Sequence, residues 1–390
     1  MGKTKINIIG PYDRFNYGDL LFPKMIKYAL ESQYPDKFQF NYFSIVDADY
    51  TEVGGVKTQN YHAFVNELNK SGHHNVIVAG GESIGANWDK LLGFINPLYF
   101  ALLNKVTVRV FSSLGLAKKI LGGKSNFPFC INKSDFEGDI TVAYNSVGGT
   151  SIPEKCYPRL SDSDYIAVRE NITLSLLEEE GINHSHLYPD SAIILSDVFS
   201  IDHLKSHIKV RTSIKKLTDQ PYIFVQIGKH KHNNNVPQIV EQLNQLGKET
   251  NSTIVLCPIG TAPGHEDDKV LKIIAGQLSC SYEFIDNPNV YEIILLIAQS
   301  RLYIGTSLHG IISAMSYGVP YIGLNPKQKK VLGYLKTWGK TPINEPSRCN
   351  NFLDKAKIAL NTDRQKIIED TEHQKELYYQ SIKNIKNCLN

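Results

Sequence analysis

No apolar run in this chain of 390 residues is long enough to span a bilayer. The stretch Phe94 to Leu103 falls far short of the roughly 20 residues a spanning helix needs. Met1-Gly2-Lys3-Thr4-Lys5 leads straight into a strand-like run, without the apolar core of a signal peptide. Ile6 stands where an N-myristoylation pattern requires Ser or Thr. Six cysteines (Cys130, Cys156, Cys257, Cys280, Cys349, Cys388) include no Cys-x-x-Cys pair, which argues against a zinc ribbon or a thioredoxin-type motif. Scattered thiols of this kind fit a reducing compartment. A strong charge excess is also missing: the net charge is +3, too small for a basic nucleic-acid-binding face. The expected location is cytoplasmic, with peripheral contact to a membrane left open, and the expected partners are small molecules.

A chain of this length exceeds one ordinary core and predicts about two domains. Apolar runs of strand length recur at Ile6–Ile9, Phe38–Ile45, Val76–Val78, Val106–Phe111, Ile140–Tyr144 and Tyr165–Val168. Helical patterns lie between several of them, at Leu20–Gln33 and Tyr61–Lys70. A clearer β-α-β-α cycle follows: strands at Tyr222–Ile227, Ser252–Pro258, Glu283–Ile285, Leu302–Ile304 and Tyr321–Leu324, with helices at Val236–Thr250, Asp267–Leu278 and Val290–Ser300. Such alternation builds parallel sheets covered by helices. The expected architecture is α/β: two Rossmann-like domains facing a cleft, 1–200 on the acceptor side and 221–345 on the donor side. A polar, basic stretch (201–220, with Lys205, Lys209, Arg211, Lys215 and Lys216) reads as a linker or an exposed helix between them, and C-terminal helices (346–390) pack back.

Parallel sheets bind ligands at the carboxyl ends of their strands, and the chemistry-bearing motifs fall there. Gly10-Pro11-Tyr12-Asp13-Arg14-Phe15-Asn16-Tyr17-Gly18-Asp19 follows the first strand. Gly18 can take a left-handed conformation and Asp19 can cap a helix starting at Leu20. Alternatively Asn16 and Asp19 touch substrate hydroxyls. Ala79-Gly80-Gly81-Glu82-Ser83 allows close backbone approach to an anion, although it lacks dinucleotide spacing and no Walker lysine follows. It also reads as a tight strand-to-helix turn; in the functional reading Glu82 orients or deprotonates a hydroxyl. Arg169, in Val168-Arg169-Glu170-Asn171, can grip a carboxylate or phosphate or form a surface pair with Glu170. Pro189-Asp190-Ser191-Ala192 reads as a turn with a helix cap. Gln226-Ile227-Gly228-Lys229-His230-Lys231-His232 can receive a phosphate through Lys229, and its His-x-His lacks the further ligands of a metal site. His184-x-His186 reads as a surface loop and His265-Glu266-Asp267-Asp268 as a solvated helix start.

The most informative stretch is Ile304-Gly305-Thr306-Ser307-Leu308-His309-Gly310, closed by Gly318-Val319-Pro320. A strand runs into a turn of small residues that presents His309, and the backbone from Gly310 onward offers helix-start N–H groups to an anion. A buried structural histidine is the other reading.

Taken in order, Asn16-Tyr17-Gly18-Asp19, Gly80-Gly81-Glu82, Val168-Arg169-Glu170-Asn171, Pro189-Asp190-Ser191-Ala192 and Ser307-Leu308-His309-Gly310 with Gly318-Val319-Pro320 resemble the polysaccharide pyruvyltransferase family. The resemblance runs from residue 6 to about 325. It implies the glycosyltransferase-B architecture and transfer of pyruvate from phosphoenolpyruvate to a sugar of a cell-surface polysaccharide, or its lipid-linked precursor, as a ketal. It also implies no metal and no cofactor beyond that donor substrate. His309, Glu82 and Asp19 become catalytic candidates. Arg169, Asn16, Gly80, Gly81, Ser307, Gly310 and Lys229 become candidate substrate contacts. Relatives often carry Arg-Leu-His-Gly where this chain has Ser307-Leu308-His309-Gly310. Either Lys229 or a lysine of the 327–330 cluster replaces that arginine, or the donor differs. A glycosyltransferase or sugar-nucleotide enzyme on the same architecture, and a non-catalytic ligand-binding protein, are the alternatives.

Overall fold

The computed structural model describes residues 2–102 and 115–389; the expected strand Val106–Phe111 lies outside them. The chain divides into two compact units. The first comprises Met1–Phe15, Asp19–Ser191 and Leu377–Asn390, and the second Asn16–Gly18 and Ala192–Glu376.

In the first unit, strands β1 (Thr4–Ile9), β2 (Phe38–Phe43), β3 (His73–Ala79), β4 (Asp139–Val147), β5 (Tyr165–Val168) and β6 (Ser185–Leu187) form a sheet in the order β2-β1-β3-β4-β5-β6. Every pairing is parallel. Parallel sheets are covered on both faces, so their strands read as continuous apolar runs, and the last four residues of β1 and all of β5 are buried. Helices α1 (Tyr17–Gln33), α2 (Tyr61–Leu68), α3 (Trp88–Ile95) and α4 (Asn171–Glu179) punctuate the strands. Side-chain caps define several starts: Asn60 accepts from the Ala63 N–H at 3.0 Å and Asn87 from the Lys90 N–H at 2.9 Å. The core packs Ile9, Phe43, Phe64, Val78, Val142 and Tyr144 together.

In the second unit, β7 (Tyr222–Gln226), β8 (Thr253–Leu256), β9 (Tyr282–Phe284), β10 (Leu302–Gly305) and β11 (Tyr321–Gly323) form a parallel sheet in the order β9-β8-β7-β10-β11. Helices α5 (Val236–Thr250), α6 (Asp267–Ala275), α7 (Val290–Ala298) and α8 (Leu308–Ser316) alternate with the strands. After β11 come the helices Lys329–Trp338 and Leu353–Leu360 and the long α9 (Arg364–Cys388). Both sheets are thus Rossmann-like.

Three expectations change. Of the two readings of 201–220, the helical one holds and the linker does not: it folds into the helices Ile201–Ser206 and Thr212–Leu217, which belong to the second unit and its core. Leu204 and Ile214 are buried there. Arg211 grips Glu292 through Nε at 2.7 Å and Nη2 at 2.8 Å. Glu292 is the third residue of α7 and closes a capping box with Asn289. His186 lies on the edge strand β6 and stacks on Tyr165 at 5.3 Å. Finally, α1 begins at Tyr17 rather than Leu20, so Asp19 sits in its first turn and Pro23 in its interior.

Candidate active site

In the second unit the turn after β8 and the start of α8, which follows β10, meet Asn16–Gly18. Backbone pairing fixes this approach: Asn16 bridges Gly260, and the Tyr17 N–H donates to the Ile259 carbonyl at 2.9 Å. Ser307 precedes α8 at its N-cap position, yet its hydroxyl makes no capping hydrogen bond. His309 is the second residue of that helix and is half-buried.

Gly18 explains how His309 is placed. It does not adopt a left-handed conformation. Its missing side chain is what matters: a Cβ there would lie 1.8 Å from His309 Nδ1 and 2.3 Å from Cγ. The imidazole therefore lies directly on the Gly18 backbone. One turn on, Ser313 Oγ donates to the His309 carbonyl at 2.7 Å, and the buried Tyr17 hydroxyl meets Ser313 Oγ at 2.7 Å. Gly310 is small for a similar reason, since a Cβ would come within 2.1 Å of the Tyr303 hydroxyl. That ring stacks on Phe224 of β7 at 5.5 Å.

Beneath these residues lies a buried polar network. The Thr306 N–H donates to Gln226 Oε1 at 3.1 Å, and the Gly228 N–H donates to Thr306 Oγ1 at 2.9 Å. Gln226 Nε2 donates to Asp267 Oδ2 at 2.8 Å, which also accepts the Ile259 and Gly260 N–H groups at 3.2 and 3.1 Å. Burial pushes the Asp267 carboxyl up to about 7, against the opposing pull of Lys231 and of these three donors. Asp267 is thus a buried hub holding the turn after β8, not a solvated helix start. Lys229 meets the neighbouring Glu266 at 2.7 Å. Burial raises the Glu266 carboxyl, but Lys229 and Lys269 outweigh it and hold the group at about 2.

In the first unit the glycine turns and Arg169 form one construction. Gly80 has φ +149°, where an L side chain is strained, and a Cβ would lie 2.8 Å from Pro11 Cδ. A Cβ at Gly81 would approach Arg169 Nη1 to 3.0 Å, and one at Gly148 would approach Nε to 2.8 Å. The two turns are joined by the Gly148 N–H donating to the Gly81 carbonyl at 2.8 Å. Arg169 is 2% exposed, and its Nη1 donates to the fully buried Asp190 Oδ2 at 2.9 Å. Burial works against the guanidinium charge; the Asp190 carboxylate more than offsets it, so the group stays cationic. Glu170 does not pair with Arg169 on the surface: its side chain caps α4 by accepting the Thr173 N–H at 2.9 Å. Glu82 is exposed and accepts from the Thr150 hydroxyl at 3.1 Å. Asp19, half-buried on α1, raises the Tyr12 hydroxyl behind the larger effect of burial.

The fold thus gathers Asn16, Ser307, His309 and Gly310 in the second unit, and Gly80, Gly81 and Arg169 with Asp190 in the first. Sequence reasoning missed Asp267 and Gln226, and gave Gly18 the wrong reason. The polar residue at the last position of the apolar strand Tyr222–Gln226 was the available signal for Gln226. No local signal marks Asp267, since acids are ordinary in a helix's first turn.

A family model described as polysaccharide pyruvyl transferase matches residues 16–328. No curated relative matches the chain. Among solved structures, the UDP-GlcNAc 2-epimerase of Methanocaldococcus jannaschii superposes with TM-score 0.55 at 15% identity, covering 93% of this chain and 94% of that one. A putative UDP-N-acetylglucosamine 2-epimerase of Listeria monocytogenes gives 0.54 at 13%, covering 100% and 96%. The Neisseria meningitidis UDP-GlcNAc 2-epimerase gives 0.53 at 14%, covering 99% of each chain. At such identities the likeness is one of fold, the glycosyltransferase-B-like pairing of two Rossmann-like domains.

Proposed function

The chain belongs to the polysaccharide pyruvyl transferase family, and from that premise we propose that it moves pyruvate from phosphoenolpyruvate onto a sugar of a cell-surface polysaccharide, or of its lipid-linked precursor, as a ketal. The observation that carries this reading is His309 in the first turn of α8, its ring set against Gly18.

Phosphoenolpyruvate presents a phosphate and a carboxylate, and needs several N–H or cationic donors. The start of α8 supplies backbone N–H groups and a positive dipole end, with His309 beside them as proton donor or phosphate contact. The Lys229–Glu266 pair favours the 327–330 lysines over Lys229 as the replacement for the arginine that relatives carry at Ser307. Protonation of the donor's methylene carbon creates a cation-like centre at the adjacent carbon. A sugar hydroxyl attacks there and loses its proton to a carboxylate, Glu82 or Asp19. The C–O bond to phosphate breaks, and a second hydroxyl closes the ketal as its proton leaves with the phosphate. Such proton transfers contribute ~100- to 10,000-fold each. Arg169 acts from beneath the glycine turns: paired with Asp190, it sets the Gly81 and Gly148 backbones on the acceptor side.

The test incubates the protein with phosphoenolpyruvate and candidate glycans and follows inorganic phosphate and the mass of the glycan. Glycan-dependent phosphate release with pyruvyl addition, lost in His309→Ala, is expected. Transfer from a nucleotide-sugar without phosphoenolpyruvate, or donor binding without turnover, would overturn the proposal.

A further inference from the structure

Among the described residues nine large hydrophobic side chains are exposed, and the first unit's four are all found between residues 98 and 120: Leu98 (77%), Leu102 (39%), Leu116 (43%) and Ile120 (62%). The remaining five are in the second unit, from Ile208 to Ile368. The four belong to two short helices, Pro97–Leu102 and Leu116–Ile120, both packed against α3. Leu98 and Leu102 are four residues apart on one helix, as are Leu116 and Ile120 on the other, so each pair shares a helix face. The inward contacts come from other residues. Phe100 meets Phe94 of α3 at 6.5 Å, the Tyr99 hydroxyl donates to Asp89, and Ala117 is buried. Among the described residues the outward leucines and isoleucine remain exposed.

Along the sequence, charge beyond Asp89, the partner of Tyr99, is of one sign as far as Ser134. From Lys90 to Ser134 the sequence contains no Asp or Glu, although acids make up 39 of the 390 residues. The described part of the same stretch carries Lys90, Lys118, Lys119, Lys124 and Lys133. Exposed apolar helix faces flanked by lysines, in a stretch of sequence with no acid after Asp89, have the composition of a surface that lies in the headgroup region of an anionic bilayer. A protein partner would offer nothing that demands the removal of every acid over so long a stretch, whereas a negatively charged lipid surface repels each one and attracts each lysine by about 1 kcal/mol.

We propose that the Leu98/Leu102 and Leu116/Ile120 faces, with Lys118 and Lys119, dock the first unit onto an anionic membrane surface. The docking is independent of which donor the enzyme uses. It goes beyond the transfer reaction by giving the protein a second substrate-presenting surface, the bilayer itself.

Co-sedimentation of the full chain with phosphatidylglycerol-containing vesicles, against pure phosphatidylcholine vesicles, tests this. The wild type should bind the anionic vesicles at least tenfold more tightly and release them in high salt. Leu98→Glu with Ile120→Glu should weaken binding more than tenfold, and Lys118→Glu with Lys119→Glu likewise. Ile208→Glu, which removes a 93% exposed apolar side chain in the second unit, should bind as wild type. All these positions lie at the surface, and unchanged circular dichroism and melting midpoints certify the fold. Equal binding to both vesicle types, no binding, or variants that bind as wild type would overturn the proposal. So would light scattering without vesicles that shows a dimer dispersed by Leu98→Glu with Ile120→Glu, because the face would then be a self-interface.

Discussion

Gly18→Ala tests the placement of His309 most directly. An added Cβ would lie 1.8 Å from His309 Nδ1, and ordinary contact begins at about 3.5 Å. The ring must therefore retreat by about 1.7 Å, the difference of those two distances. Backbone conformation offers no objection, since Gly18 is not at positive φ and lies within α1. Alanine there gains about 0.5–1 kcal/mol of helix preference over glycine. That gain offsets part of the strain, because a half-buried imidazole relieves the clash by swinging about its Cα–Cβ bond, which moves Cγ as well as Nδ1. Stability should consequently stay within about 1 kcal/mol of wild type, while catalysis suffers: misplacing a reacting group by about 1 Å costs on the order of 100-fold. The assay pairs urea unfolding with phosphoenolpyruvate-dependent phosphate release, and imidazole NMR reports the ring. A Gly18→Ala protein that turns over within threefold of wild type, with unshifted His309 resonances, would refute the reasoning. A loss of fold rather than of rate would refute it too.

Other perturbations address the buried charges and the site's dependence on pH. Asp190→Asn removes the carboxylate opposite Arg169, both members being at most 2% exposed. Leaving one buried charge uncompensated costs about 3–5 kcal/mol, which urea midpoints will show; a change under 1 kcal/mol would mean that Arg169 finds another counter-charge. Gly148→Ala forces a Cβ to 2.8 Å from Arg169 Nε and should destabilise by about 1–3 kcal/mol, read as a fall in melting midpoint. Asp267 supplies the pH test. Its folded carboxyl stands at about 7 against an ordinary 3.8, so the folded state binds the proton more tightly than the unfolded state. The resulting stability is complete below about pH 4 and is lost as pH rises through about 7. Asp267→Asn mimics the protonated form and should flatten the urea midpoint between pH 4 and 8; an unchanged slope would show that the carboxylate is ionised throughout.

The order of strands and helices was legible because periodicity is local: a fully buried parallel strand is a continuous apolar run, and an amphipathic helix repeats every 3.6 residues. Thus Tyr165–Val168 and Val236–Thr250 appear in the structure with the same bounds. Errors fell where tertiary contact overrides local character. The polar stretch 201–220 reads as a linker or an exposed helix until Arg211 finds Glu292, and His186 reads as loop until β6 pairs with β5.

By itself the chain determined its class, its turns and the motifs at its strand ends, including the lone histidine of residues 304–310. The tertiary structure alone decided what those motifs touch. Gly18 lies under the His309 ring, Arg169 reaches Asp190 under two glycine turns, and Asp267 gathers donors from Gln226 and the turn after β8. The physical reason is range. Propensity, capping and periodicity act over a few residues, whereas burial, charge pairing and the absence of a Cβ have meaning only once distant segments are brought within a few ångströms.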